Sequence, residues 1–236
     1  MNKTNILSKL LLITLFSFGI LFLILFTYYF WQLKFGDSEK LTELNSNFNT
    51  NIRLVNDSKT KIKIENWEKL INNYNPKKGE DSSQIKIIAF IDFSCDFSKE
   101  DYKKILNIHD KFPISQIIFK YSPILNNTKN SYNTALASAC ANEQDNFWQY
   151  YEKLFKDTDH SKDNLYKIAN DLNLNLSQFQ TCFQNNKYKN IINQDLKDFS
   201  DFDLRGTPTY IINGNVLEGV QPEENWTKLI LQILNN

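Results

Sequence analysis

The run IKIIAFIDF, residues 85 to 93, constrains the fold more than any other stretch of the chain. It is β-branched or apolar almost throughout and of strand length, so it reads as a strand buried on both faces. Such a strand needs a layer on each side, which points to an α/β architecture. Cys95 follows this run almost at once. Behind it Tyr102, Ile105, Leu106 and Ile108 fall at helical spacing, predicting a helix from Ser98 to about His109 that Pro113 ends. SQIIFKY (115–121) then reads as a second strand, and a strand–helix–strand unit of this length predicts a parallel pair joined by a right-handed crossover.

The flanks carry different patterns. Upstream, IENWEKLINNY (64–74) places Ile64, Trp67, Leu70, Ile71 and Tyr74 at helical spacing, and NPKKGEDSS breaks it as a turn. From about 130 to 200 no strand signal occurs. SYNTALASACANE, NFWQYYEKLF, DNLYKIANDL, LSQFQTCFQN and YKNIINQDLKDF all read as helices, which makes this stretch an all-helical insertion. After it, TPTYIING and NVLEGV read as two short strands around the turn Asn213-Gly214-Asn215, and PEENWTKLILQIL closes the chain as a helix.

The N-terminus follows other rules. No charge interrupts Leu10 to Leu33, which as a helix reaches roughly 36 Å and exceeds the ~30 Å hydrocarbon core of a bilayer. The run ends in Tyr28, Tyr29, Phe30, Trp31 and Gln32, without the small residues of a signal-peptide cleavage site, so it is expected to remain as an anchor. Lys3 and Lys9 before it favour a cytoplasmic N-terminus. The expected organisation is a short cytoplasmic segment (1–9), one transmembrane helix (10–33), a polar tether (34–60) and a folded domain (61–236). That domain would face the periplasm or the outer side of a single-membrane cell. With 27 basic and 27 acidic side chains the net charge is zero, which argues against a nucleic-acid partner.

Three cysteines in an exported chain, Cys95, Cys140 and Cys182, allow at most one intramolecular bridge and leave one thiol over. Cys95 sits where a strand gives way to a helix. A thiolate is the reactive form, an isolated thiol has a pKa of about 8.5, and unpaired N–H groups at a helix start stabilise negative charge, so Cys95 is the candidate nucleophile. His109 and His160 stand apart in sequence and are assigned to the surface; neither a metal site nor a cofactor is expected.

In order, DFSCDFSKE (92–100), ALASACANEQDNFWQYYEKLF, TCFQNNKY and GTPTYIINGN followed by EGVQPEE resemble the DsbA-like thiol-disulfide oxidoreductases over residues 85–236. The resemblance implies a thioredoxin-like fold interrupted by the helical insertion. It implies that Thr207-Pro208 forms a cis-proline loop beside the sulfur, where an extended client segment can pair, with Phe97 at the same surface. It also implies a Cys140–Cys182 bridge, whose 42-residue separation contributes on the order of 4 kcal/mol by loop-closure entropy. Two departures from the family pattern stand out. Asp96-Phe97 replaces the histidine or proline common between the cysteines, and Asp96 opposes a second negative charge, so a less acidic thiol than in strongly oxidising members is expected. Ser98 stands where the pattern has its second, resolving cysteine. A hydroxyl cannot form a disulfide, so only single-thiol exchange remains, resolved by the client's own cysteine, a small thiol or a redox partner protein. Two functions follow: a membrane-anchored oxidoreductase or isomerase of exported, cysteine-bearing proteins, or a chaperone or assembly factor that holds such clients without redox turnover.

Overall fold

The computed structural model describes residues 19, 21–23, 25–27, 63–125 and 130–235. The chain divides into two units, 1–60 and 61–236. In the first unit the described residues are helical and exposed. The rest of the expected span 10–33 and the whole expected tether 34–60 lie outside the described residues. Among the described residues no helix is long and apolar enough to cross a membrane.

The second unit is built on a five-stranded sheet. Its strands are β1 (Lys77–Lys78), β2 (Ile85–Ile91), β3 (Ser115–Tyr121), β4 (Thr209–Ile212) and β5 (Asn215–Glu218), in the spatial order β1-β3-β2-β4-β5. β2 and β3 run parallel, with Ile85 opposite Ser115 and Ile91 opposite Tyr121. The crossover between them is helix α1 (Asp96–Lys111). β4 lies antiparallel on the other side of β2, and the Asn213-Gly214 turn returns β5 antiparallel to β4. Gly214 is at φ +85, and a Cβ there would meet the Ile64 carbonyl oxygen at 2.8 Å, so this turn admits only glycine.

Side-chain alternation along β2 splits the core in two. Ile85, Ile87, Ala89 and Ile91 join the larger cluster, where Phe93, Phe119, Phe147, Tyr151 and Phe155 meet with ring centroids as close as 4.7 Å. Ile88 and Phe90 face the smaller one with Ile64, Leu70, Ile118, Leu204 and Ile211. The helical insertion comprises α2 (Ser131–Asn142), α3 (Phe147–Lys156), α4 (Lys162–Asp171), α5 (Leu176–Gln184) and α6 (Lys189–Asp201). Ser161 caps α4 by accepting from the Asn164 N–H, and Asn175 caps α5 by accepting from the Gln178 N–H. Cys140 of α2 and Cys182 of α5 are joined by a disulfide (S–S 2.03 Å) and are buried. Helix α7 (Glu223–Leu234) closes the domain, its Trp226 buried against Tyr210 at a centroid distance of 4.5 Å.

Lys120 and Asp195 are among the charged groups that lie wholly inside. Lys120 projects from β3 on the smaller-core side and donates to Asp195 Oδ1 and Asp198 Oδ2 of α6, each at 2.8 Å. Asp195 also accepts from the Tyr121 N–H at 2.9 Å and from Asn75 Nδ2 at 2.6 Å. Burial pushes the Asp195 carboxyl up to about 6 against these donors.

Three local expectations change. The helix predicted over 64–74 is reduced to a single 3-10 turn, Trp67–Leu70. Its start is held as sheet, because Lys63 bridges Asn215 and the Ile64 N–H donates to the Gly214 carbonyl at 2.7 Å; Asn66 then turns left-handed at φ 56. Its end is taken by Asn72, whose side chain accepts the N–H groups of Tyr74 and Asn75. The predicted turn after it contains β1 instead. Finally, β2 stops at Ile91, and α1 starts at Asp96 rather than Ser98, because Asp92 turns the chain.

Candidate thiol site

The site is assembled by the turn between β2 and α1. Asp92 is buried. Its Oδ1 accepts the Ser94 N–H at 2.9 Å and its Oδ2 the Leu125 N–H at 3.0 Å, while its own carbonyl accepts the Cys95 N–H at 3.1 Å. Burial raises the Asp92 carboxyl above its ordinary value. The two backbone donors, the Ser131 hydroxyl and the nearby charge of His160 each pull it back. This knot of hydrogen bonds fixes Cys95 as the N-cap of α1, in extended conformation at φ −85 and ψ 124. Its carbonyl accepts the Lys99 N–H at 2.9 Å, the first bond of the helix.

From that position the Cys95 thiol points across to the loop before β4. Sγ donates to the Thr207 carbonyl oxygen at 3.2 Å, and the Thr207–Pro208 peptide is cis. The loop is held by its own bonds: Thr209 Oγ1 donates to the Gly206 carbonyl at 2.6 Å, and the Gly219 N–H to the Pro208 carbonyl at 2.8 Å. Cys95 is 8% exposed and is the free cysteine among the described residues. Phe97, the second residue of α1, is 63% exposed, a large apolar side chain left on the surface two positions after Cys95. Ser98 points inward at 1% exposure. Among the described residues its hydroxyl has no hydrogen-bond partner, and neither has the buried Thr207 hydroxyl.

A cleft of about 340 Å³ opens beside the thiol. Cys95, Asp96 and Lys99 line one side of it, and Asp157, Asp159 and His160, from the connection between α3 and α4, the other. His160 is half-buried. Its Nδ1 lies 3.3 Å from Ser94 Oγ and its Nε2 lies 3.2 Å from the Leu154 carbonyl. Among the described residues no group of three or more His, Cys, Asp or Glu side chains could hold a metal ion.

A family model described as thioredoxin matches residues 57–232, most of the chain. The chain belongs to the thioredoxin family. Solved structures within this fold cover nearly all of themselves with it. The thiol-disulfide exchange protein α-DsbA2 of Wolbachia pipientis superposes at a TM-score of 0.67 with 20% identity, over 76% of this chain and 98% of that one. A thioredoxin-like oxidoreductase from Silicibacter pomeroyi gives 0.67 with 16% identity over 73% and 99%. Oxidised BdbD of Bacillus subtilis gives 0.61 with 19% identity over 69% and 94%. One curated relative, the Na(+)/H(+) antiporter NhaA 3 of Salinispora tropica, is 21% identical over 138 residues. That match takes in 58% of this chain and 21% of the antiporter, so the chain spans about a fifth of the length of the curated relative it matches.

Within this thioredoxin-family domain, the Cys95 sulfur meets Thr207 of the cis Thr207–Pro208 peptide, although more than a hundred residues separate the two segments, and Phe97 and Ser98 follow Cys95 in the first turn of α1. Cys140 and Cys182 lie apart from it, inside the insertion. The assignment of both histidines to the surface is corrected. His109 is half-buried and its Nδ1 lies 3.2 Å from Ser115 Oγ, so it braces α1 against β3. His160 reaches the thiol's own cleft. Sequence spacing gives no hint of this, because the packing of α3 and α4 alone brings residue 160 to residue 94. Asp92 and Ser94 were also missed, although both lie in the quoted motif; as a strand continuation, Asp92 would not have been given the task of folding the turn.

Proposed function

We propose that this protein is a membrane-anchored, extracytoplasmic thiol-disulfide oxidoreductase or isomerase that acts on exported proteins through Cys95 alone. The observation that carries the reading is the placement of the Cys95 sulfur at the first turn of α1, against the Thr207 carbonyl of a cis-proline loop and beside an open cleft. A helix start favours the thiolate, and the loop offers backbone groups with which an extended client segment can pair. Support for the anchor comes from the uncharged run 10–33 and the lysines before it.

In this reading the Cys95 thiolate attacks one sulfur of a client disulfide. The Cys95–client bond forms, the client's S–S bond breaks, and the second client sulfur leaves as a thiolate. A dithiol enzyme would resolve that intermediate from the position of Ser98. Here resolution falls to the departed client thiolate, to another client cysteine, or to an external thiol, each of which attacks the mixed disulfide and returns Cys95 as thiolate. Attack by a different client cysteine yields a rearranged disulfide with no net change of oxidation state, which is isomerisation.

The test is trapping. The full chain in detergent is incubated with a disulfide-bearing client peptide and the products are digested and mapped by mass spectrometry. A Cys95–client disulfide is expected in the wild-type chain, its complete loss in Cys95→Ala, and a gain of oxidase turnover in Ser98→Cys. Client retention by Cys95→Ala, with no mixed disulfide in the wild type, would replace the enzyme by a binding module.

A further inference from the structure

Two distant segments meet at the thiol: the start of α1, which carries Cys95, and the loop before β4, which carries the cis-proline. Their bond at the sulfur, Cys95 Sγ to the Thr207 carbonyl, is made by a weak donor. Farther along the helix the same two parts of the domain are joined again by stronger groups. Asp101 of α1 is fully buried, and its Oδ2 accepts from the Tyr210 hydroxyl at 2.8 Å. Tyr210 lies in β4, two residues after Pro208, opposite Ala89 of β2 and Leu217 of β5. Lys104, one turn after Asp101, donates both to Asp101 Oδ1 and to the Gln221 carbonyl. Gln221 belongs to the segment that leaves β5, and its Nε2 turns back to the Glu218 carbonyl at 2.6 Å. In that same segment the Gly219 N–H holds the Pro208 carbonyl at 2.8 Å.

Cys95 and Lys104 stand roughly 13 Å apart along the axis of α1. A helix tied at both places cannot pivot against the loop without breaking one of the ties. Burial raises the Asp101 carboxyl above its ordinary value, and Lys104 and the Tyr210 hydroxyl pull it back. The Lys104 side chain is itself only 24% exposed. A buried pair of this kind adds little net stability over apolar packing, but loss of one partner strands the other charge, so the pair holds one arrangement against its neighbours.

We propose that Lys104, through Asp101, is a positioning residue of the thiol site: it clamps α1 to the β4–β5 hairpin and so holds the Thr207–Pro208 loop at the spacing from Cys95 that an extended client segment needs. This role deepens the thiol-exchange reading and rests on it for the client, whereas the clamping of the loop is measurable without one.

The experiment compares wild type, Lys104→Met and Lys104→Arg as full chains in detergent. Methionine keeps an apolar stem and loses the charge, while arginine keeps donors for both acceptors. Two rates are read: mixed-disulfide formation at Cys95 with a disulfide-bearing peptide, and with hydroxyethyl disulfide, which is too small to pair with the loop. Lys104→Met is expected to slow the peptide about three- to tenfold and to leave the small disulfide within about twofold, and Lys104→Arg to restore the peptide rate. Equal slowing of both reagents, the result of a merely structural role, would overturn the proposal, as would unchanged rates or no recovery with arginine. Hydrogen exchange reads the clamp directly. The Gly219 amide is expected to exchange about tenfold faster in Lys104→Met while the Ile168 amide inside the insertion keeps its rate, and acceleration of both or of neither would overturn the proposal. Should Lys104→Met fold poorly, Tyr210→Phe, whose ring keeps its contact with Trp226, replaces it in both measurements with the same expected outcomes. A wild-type chain that forms no mixed disulfide with either reagent would sink the exchange reading; faster Gly219 exchange in the variant would then leave the clamp standing, and unchanged exchange would remove it.

Discussion

Two charged clusters lie at the same end of the parallel β2–β3 pair, and they are finished differently. Lys120 and Asp195 are both fully buried, and every charged atom of the pair finds a partner in Asp198, Asn75 or the Tyr121 N–H. At the thiol site, Asp92 is similarly buried and bonded, but the segments that form the site also hold two buried hydroxyls without partners among the described residues, Ser98 and Thr207, and a cleft open to solvent lies beside Cys95. Asn75 Oδ1 and the Tyr121 hydroxyl at the edge of the Lys120–Asp195 cluster have no partner among the described residues, but its charges are all paired, because an unpaired buried charge is costly. The thiol site differs in having a cleft open to solvent beside its sulfur. The contrast between the two clusters therefore lies in solvent access, within a few residues of one sheet.

The largest effect expected from breaking it is at Asp195. Asp195→Ala strands Lys120 with a single carboxylate and removes the acceptor for Asn75 and the Tyr121 N–H, and should cost about 3–5 kcal/mol in urea unfolding. A loss below about 1 kcal/mol would mean that the network relaxes to water and is not a closed lock. Next in size is the pH dependence of the same group. Its carboxyl is raised from 3.8 to about 6 in the folded chain. Between those values the unfolded chain has released a proton that the folded chain keeps. Stability from this group is therefore fully present below about pH 4 and is lost as pH rises through about 6. Measured against Asp195→Asn, the wild type should lose about 2–3 kcal/mol across that window, and parallel pH curves for the two proteins would contradict the assignment.

The thiol site should respond in the opposite way. Ser98→Ala and Thr207→Val remove hydroxyls that bond to nothing, so each should change stability by less than about 1 kcal/mol, with stabilisation as acceptable an outcome as loss. A loss of about 2 kcal/mol or more in thermal or urea unfolding would show that these hydroxyls do have partners. Smallest is Phe97→Ala. With the ring 63% exposed, unfolding should shift by no more than about 0.5 kcal/mol, while mixed-disulfide formation with an apolar client peptide should slow several-fold. Equal trapping rates would remove Phe97 from the client surface.

Much of this was readable in the chain and some was not, for physical reasons. β2 announced itself because a strand covered on both faces must be apolar in both registers. The insertion did so because helical periodicity ran through it without a competing strand signal. The segment 64–74 has that periodicity too and still does not form a helix: the edge of the β4–β5 hairpin claims its first residues and Asn72 its last, and both are tertiary or side-chain competitors that a period cannot register. Cys95 was legible from its place between a strand and a helix, whereas the meaning of Ser98 and of the Thr207-Pro208 pair came through the resemblance, which preserves their order. Lys120, Asp195 and His160 were not legible, since a buried ion pair or a histidine delivered from the connection between α3 and α4 leaves no local trace.

The hairpin edge that claims Lys63 and Ile64 bears on how the domain meets other chains. A sheet's outer strands are where a foreign strand would most readily add. Here one border, β1, is two residues long, and the other, β5, is four, bridged by Lys63 at Asn215 and carrying the Arg205–Glu218 ion pair at its far end. Among the described residues neither border offers a long free ladder, so a foreign strand has little to zip onto there. In the thiol-exchange reading proposed above, the backbone groups around Pro208 are then the place where an extended chain would dock, across from Cys95.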